Sequence, residues 1–337
     1  MSLDREMELL AQVGRDLPGA VQVLPATADD TEPVVAPEWS VEGEPTEYGT
    51  ARHHFGTWRF SLAGVALKFS MLAQGDRLTV PAVGDRGDWL VKFPDYRFAD
   101  VPRNEYSTMS LARAVGIDVP EIRMVHRDEM EGLPARMWPN AEQWAYAVRR
   151  FDRGRDDRKA SVHIEDFAQV RGVYPHQKYG GTFETVAALA YRGRDRTALR
   201  EFARRLAFSV LVGNGDAHLK NWSLVYPDRR IPTLSPAYDL VSTFLYRDDD
   251  DGPEDLGLKF CGTKRFDQIG LDSFALLERR LERRFGHTGA DLVDVAAETA
   301  ERLAVQWPKH RDAMAGERLP ADTLDEWIQA RLGVFRR

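Results

Sequence analysis

The sequence predicts an α+β fold of two lobes, β-rich in its N-terminal half and mostly helical in its C-terminal half. Three observations predict it. A length of 337 residues is too great for one small core and favours two lobes. Residues 57–94 break into short apolar runs separated by Gly-Asp punctuation, the pattern of antiparallel hairpins. Beyond Phe151, apolar residues recur at helical spacing. With 43% hydrophobic and 29% charged residues, the composition excludes wholesale disorder. The net charge of −7 disfavours a general nucleic-acid coat, so no direct sequence-specific DNA binding is expected. The single cysteine, Cys261, offers neither a disulfide nor metal-ligand spacing. The best apolar stretch, Leu206 to Val212, is far too short to span a membrane. Asp4, Arg5, Glu6 and Glu8 precede any apolar run, unlike a signal peptide. A soluble, cytoplasmic protein with no membrane partner is expected.

Each element can be justified in order. Residues 24–50, rich in Pro, Glu, Asp and Thr, read as a solvated connector. Strands are expected at Leu67–Leu72, Leu78–Val80 and Trp89–Phe93. A helix follows, with Asp100 as its cap, Pro102 in its first turn and Gly116 as its stop. A second β pair is expected around Ile122–Val125 and Met137–Phe151. Helices are then expected at Thr182–Arg192, Thr197–Val212, Leu271–Phe285, Ala290–Trp307 and Ala321–Leu332. The lobes divide near Arg150, giving residues 1–149 and 150–337. The cleft between them is the default ligand site.

The segment from Gly213 to Thr243 carries the chemistry. A helix ends at Gly213, placing Asp216 and His218 on a loop. Asn221 falls just before a hairpin, Trp222–Tyr226 with Ile231–Leu234, and Asp239 just after it. Three oxygen-bearing side chains are thereby gathered at one end of a β-ribbon. Phosphoryl transfer needs such a set: a carboxylate to take the acceptor's proton, and an amide and a second carboxylate to hold Mg²⁺. The interval Asp216–Asn221 is the Asp-x-x-x-x-Asn of kinase catalytic loops. Asp239 is followed by Leu240-Val241 rather than Phe-Gly. A polar turn before an ordinary hairpin is the alternative, because Asn-Gly and Pro-Asp are common turn pairs. The preceding apolar helix and the following Asp239 favour the functional reading.

Asn214-Gly-Asp-Ala-His-Leu-Lys-Asn-Trp222, followed by Leu234-Ser-Pro-Ala-Tyr-Asp-Leu-Val-Ser-Thr243, resembles the signature of HipA-like serine/threonine kinases, the toxins of bacterial toxin–antitoxin systems. Trp58 to Gly64 resembles the family's phosphate-binding loop, and Trp89 to Pro94 its ATP-lysine strand. Asn104-Glu105-Tyr106, Gly116 to Pro120, Arg150 to Arg153 and Glu165 to Gln169 also resemble family stretches. The likeness covers roughly residues 57–310. It implies a protein-kinase-like bilobal fold, ATP and Mg²⁺, with Asp216 as catalytic base and Asn221 and Asp239 as metal ligands. It also implies Lys92 on the nucleotide phosphates, Phe151 against adenine and Asp152 at the ribose. Known members phosphorylate aminoacyl-tRNA synthetases, and a regulatory phosphoserine of the family matches Ser61.

The residues themselves leave some choices open. Leu90 and Lys92 share one strand face, Val91 and Phe93 the other; Lys92 is either solvated or aimed into the cleft. Glu105 either pairs with Lys92 or is an exposed first-turn glutamate. Ser61, Ala63 and Gly64 form a small-residue turn that suits phosphate or merely leads into a strand. Phosphorylating Ser61 would add negative charge beside ATP phosphates and eject the loop. Lys68 and Lys220 either reach a phosphate or are exposed; Lys220 is the better placed to neutralise the transferring group. His218 contacts phosphate, Asp216 or nearby backbone. His53-His54 and Cys261 look incidental. Asp248–Asp251 with Glu254 and Asp255 reads as a solvated loop, and Arg279, Arg280, Arg283 and Arg284 as a solvated helix face.

Two departures from the family stand out. Val65-Ala66-Leu67-Lys68 replaces the usual Gln-Glu-Lys stretch. The chain begins near Arg15 to Val21, which resembles the end of the family's N-terminal subdomain. That suggests the short kinase of a HipBST-type arrangement, with a small separate protein of HipS type and a helix-turn-helix antitoxin of HipB type as partners. The rivals are a small-molecule phosphotransferase of aminoglycoside-kinase type and a catalytically silent co-repressor bound to a DNA-binding antitoxin.

Overall fold

The computed structural model describes residues 14–24, 68–81, 86–95, 97–131, 133, 138, 141–154, 160–246, 255–314 and 321–336. Ser61, Ala63, Gly64, His53-His54, Asp248–Asp251, Glu254 and nearly all of the 24–50 connector lie outside the described residues. The expected hairpins form. Strand β1 (Lys68–Gln74) turns through Gly75, φ 61°, into β2 (Arg77–Thr79). On its other side β1 pairs antiparallel with β3 (Trp89–Lys92). The second expected pair is β4 (Ile122–His126) with β6 (Trp144–Arg149), and β6 closes onto β3. The sheet order is β4-β6-β3-β1-β2-β5, where the short edge strand β5 (Met130–Glu131) runs parallel to β2.

Alternation along the strands separates two cores. Ala145 and Ala147 join Phe69, Met71, Val91 and Phe93 on one face. Tyr146 and Val148 join the main core on the other, where Leu90 also packs. Lys92 therefore lies on the face turned towards helix α1 (Val101–Ala114), which is wedged between this sheet and a C-terminal helix. Pro102 and Gly116 play their expected parts, the latter at φ 92° just after the helix. Asp100 does not: it stands at the cap position with φ 58° and no side-chain hydrogen bond to the first turn.

The C-terminal half is helical as expected: α2 (Phe183–Tyr191), α3 (Arg196–Leu211), α4 (Leu271–Phe285), α5 (Leu292–Met314) and α6 (Ala321–Val334). Helix α5 runs past its expected end at Trp307, through Pro308. Proline removes one helical hydrogen bond, but Trp307 and Met314 are buried on either side of the break. The expected hairpin is β8 (Ser223–Tyr226) with β9 (Thr233–Leu234). An unanticipated strand, β7 (His163–Asp166), extends it. A further hairpin, β10 (Asp255–Phe260) with β11 (Thr263–Arg265), was also not anticipated. Asp255, expected within a solvated loop, begins β10 because Leu256, Leu258 and Phe260 alternate into the core.

Residues 14–24 form a strap across the turn that follows β6. Arg150 and Arg153 both reach Asp16 Oδ1, at 3.0 and 2.8 Å, and both reach Asp152 Oδ2, at 2.9 and 2.8 Å. The Gly19 amide donates to Asp152 at 2.7 Å, and both arginines also donate to the Leu17 carbonyl. The Asp152 carboxylate is thus buried and held by two guanidiniums and an amide. Burial pushes that carboxyl up, but Arg150 and Arg153 outweigh it and hold its pKa below the ordinary value. Removing one member of a buried charge cluster strands the others. Asp16→Ala is expected to cost about 3 kcal/mol, read as a lower urea midpoint; a loss below about 1 kcal/mol would show that the strap adds little.

Candidate active site

Three elements converge on Lys92. At the end of β3 it sits in register with Lys68 of β1. Its ammonium donates to Glu105 Oε1 at 2.6 Å and also to Asp239 Oδ1. The pairing reading of Glu105 therefore holds, and α1 buries it to 3% exposure. Asp239 has φ 57°, a left-handed conformation that non-glycine residues seldom adopt and that concentrates at functional sites. Burial pushes the Asp239 carboxyl up, but Lys92 and Lys68 outweigh this and hold it well below the carboxylate range. Burial pulls Lys92 down, yet Asp239 and Glu105 keep it above the ordinary ammonium value, a fixed cation. Lys68 is only 8% exposed and its pKa is lowered, first by burial and further by Lys92. Burial pushes Glu105 up to about 7 in spite of Lys92, because Asp239 already neutralises much of that charge.

The catalytic loop is shaped by its glycine. Gly213 has φ 66°, and a Cβ there would lie 2.7 Å from Phe244 Cβ, so the chain leaves α3 sharply. The Asp216 amide donates to Asn214 Oδ1 at 3.2 Å, and Asn221 Nδ2 donates to the Asp216 carbonyl at 3.2 Å. The Asp216 carboxylate itself stays half-exposed and accepts from the Tyr179 hydroxyl at 2.6 Å. His218 is buried with Nε2 3.7 Å from Asp216, and burial lowers its pKa, so it serves as a neutral neighbour. The Lys220 carbonyl accepts from Tyr238 Oη at 2.9 Å, and the Lys220 ammonium lies near enough to Lys68 to lower its proton affinity. Strand β10 backs the loop closely, since a Cβ on Gly257 would meet the Ala217 carbonyl at 2.8 Å.

Asn221 Oδ1 is buried with no hydrogen-bond partner among the described residues, and Asn221 lines the same small cavity as Asp239. An amide oxygen and a carboxylate are hard donors that suit Mg²⁺. Among the described residues no group of three His, Cys, Asp or Glu is placed to hold a metal ion. Phe151 lies in the turn after β6 with its ring 5.8 Å from that of Tyr238. Asp152, the next residue, accepts from the Gly19 amide of the strap. Two neighbours escaped the sequence reading. Asn104 makes paired hydrogen bonds with the Ser242 backbone, at 2.9 and 3.0 Å, tying α1 to the segment just past Asp239. Tyr179 meets Asp216 across 37 residues, a separation that no local pattern marks.

The profile of the HipA-like C-terminal domain matches residues 60–307. The chain belongs to the HipA-like family. It is 42% identical over 325 residues to the Sinorhizobium fredii protein Y4dM, which carries a provisional kinase name, covering 95% of this chain and 74% of that one. It is 29% identical over 264 residues to the serine/threonine-protein kinase toxin HipA of Shewanella oneidensis, covering 71% of this chain and 57% of the toxin. The solved Shewanella oneidensis HipA, in complex with HipB and operator DNA, superposes with a TM-score of 0.67 at 22% identity, covering 99% of this chain and 79% of that one. The HipA fold expected from the sequence is therefore present. Among the described residues no helix is long and apolar enough to cross a membrane.

The raised Glu105 pKa has a measurable sign. A carboxyl that binds its proton more tightly when folded contributes stability that is full below its unfolded value of 4.5 and lost as pH rises through about 7. Glu105→Gln stays neutral throughout. Wild type is expected to lose stability relative to this variant between about pH 5 and about pH 8, measured as urea midpoints; a constant gap would contradict the shift.

Proposed function

We propose that the chain is an ATP-dependent serine/threonine protein kinase and the toxin of a bacterial toxin–antitoxin system. One observation carries this reading. Lys92 is gripped by Glu105, 13 residues away, and by Asp239, 147 residues away, the strand-lysine, helix-glutamate and metal-aspartate arrangement that phosphoryl transfer uses. Lys92, with Lys68 and Lys220 beside it, binds the phosphates, and Phe151 lies where the base would stack. Asn221 and Asp239 hold Mg²⁺, which neutralises charge developing on the phosphates. Asp216 takes the acceptor's proton; it is exposed, accepts a hydroxyl hydrogen already, and is oriented through its own backbone by Asn214 and Asn221.

By family likeness, the acceptor is a protein such as an aminoacyl-tRNA synthetase, and Ser61 is a site of autophosphorylation. A HipB-type antitoxin and a small HipS-type protein are the partners proposed. The Shewanella oneidensis relative, solved with HipB and operator DNA, supports the antitoxin and is compatible with a second role as co-repressor.

Purified chain with Mg²⁺ and γ-labelled ATP is expected to transfer label to protein. Asp216→Asn should reduce transfer about 10²- to 10⁴-fold; a wild type without turnover would sink the kinase reading, and label found only on small alcohols would favour the aminoglycoside-type rival. Ser61→Ala, with phosphates counted by mass spectrometry, should remove the main autophosphorylation. Undiminished labelling would exclude Ser61.

A further inference from the structure

The Tyr179 hydroxyl donates to Asp216 Oδ1 at 2.6 Å, the contact a general base makes with a hydroxyl it is about to deprotonate. We propose that Tyr179 occupies the seat of the acceptor hydroxyl on Asp216, so that the chain closes the acceptor side of its own site until Tyr179 is displaced. The inference rests on the phosphotransferase reading and adds to it a residue that governs acceptor entry.

Several observations favour a displaceable plug over a structural tie. The Tyr179 ring is 44% exposed, touching His218 edge-on with ring centroids 5.1 Å apart and lying under the Lys178 ammonium. The backbone at Asp216 is already fixed from within by Asn214 and Asn221, so the phenol is not needed to hold the loop. The backbone around Tyr179 is itself anchored. The Lys178 carbonyl accepts from the Leu219 amide at 3.1 Å, and the Gly180 carbonyl accepts from Arg171 Nη1 at 2.7 Å. Opening the seat thus needs rotation of one side chain rather than unfolding of the segment. Burial and the Asp216 carboxylate both raise the Tyr179 pKa, so the phenol keeps its proton and serves as a donor at neutral pH. While it does, Oδ1 of Asp216 is occupied by the phenol rather than by an acceptor.

Two measurements test this. The first needs no activity: tetranitromethane nitration at Tyr179, followed by peptide mass spectrometry, in wild type and Asp216→Ala. Losing the carboxylate should speed nitration several-fold; equal rates would overturn the contact. The second is hydrolysis of Mg·ATP, with water as the acceptor, by wild type and Tyr179→Phe. A hydrogen bond to a charged group is worth enough that its loss should raise turnover by about ten-fold, with the ATP KM unchanged. Turnover that is unchanged or falls in Tyr179→Phe would overturn the plug, a fall making Tyr179 a positioning residue for the base. If neither chain turns over ATP, while nitration still depends on Asp216, the phosphotransferase reading fails and the plug fails with it, but the contact stands.

Discussion

The Lys92 ammonium, shared between Glu105 and Asp239, is the contact on which the rest of the site depends. An ammonium removed from water carries a penalty of several kcal/mol unless its charges and protons are met. Here two carboxylates meet it, from helix α1 and from the segment after β9. The requirement therefore fixes three parts of the chain against each other. Asn104 repeats the bond one residue from Glu105, through the backbone of Ser242. Asp239 meets Lys92 from a left-handed backbone conformation. The two carboxylates respond unequally to their common partner: Asp239 stays ionised while Glu105 is pushed towards neutrality, the behaviour of interacting acids that cannot both gain the full benefit of one charge.

A second buried charge cluster ties residues 14–24 to the turn after β6. Arg150 and Arg153 are paired with Asp16 and Asp152, and Arg150 also donates to Ser70 of β1 at 2.9 Å. The strap, the sheet and the turn carrying Phe151 are thereby joined in one buried network. Such a network tolerates little rearrangement, because moving one member leaves the others unpaired. The turn at Phe151 is thus held by charges rather than left as a free hinge. The matched region spans 57% of the Shewanella oneidensis toxin's length.

The catalytic loop combines fixed backbone with an open side chain. Gly213, Asn214, Asn221 and the close approach of β10 at Gly257 leave its main chain no room. The Asp216 carboxylate is half-exposed and, among the described residues, meets the Tyr179 hydroxyl and His218.

Much of this was legible in the sequence. Local periodicity marked the hairpins and the five helices, and the intervals Asp216–Asn221 and Asn221–Asp239 marked the site, because turn chemistry and spacing are properties of contiguous residues. The missed strand β7 is short and pairs with β8 far along the chain, while β10 and β11 pair with each other across Cys261-Gly262 directly after an acidic run that reads as loop. Pro308 stopped the expected α5 too early, since the burial that carries the helix through it is a tertiary effect. The sequence alone determined the fold class, the family and the residues that carry charge into the cleft. Only the tertiary structure decided which charges meet. It paired Glu105 with Lys92, set Asp152 and Asp16 on the same two arginines, and set Tyr179 on Asp216. Each of those choices is made by desolvation, which acts on residues far apart in sequence and leaves no local pattern to read.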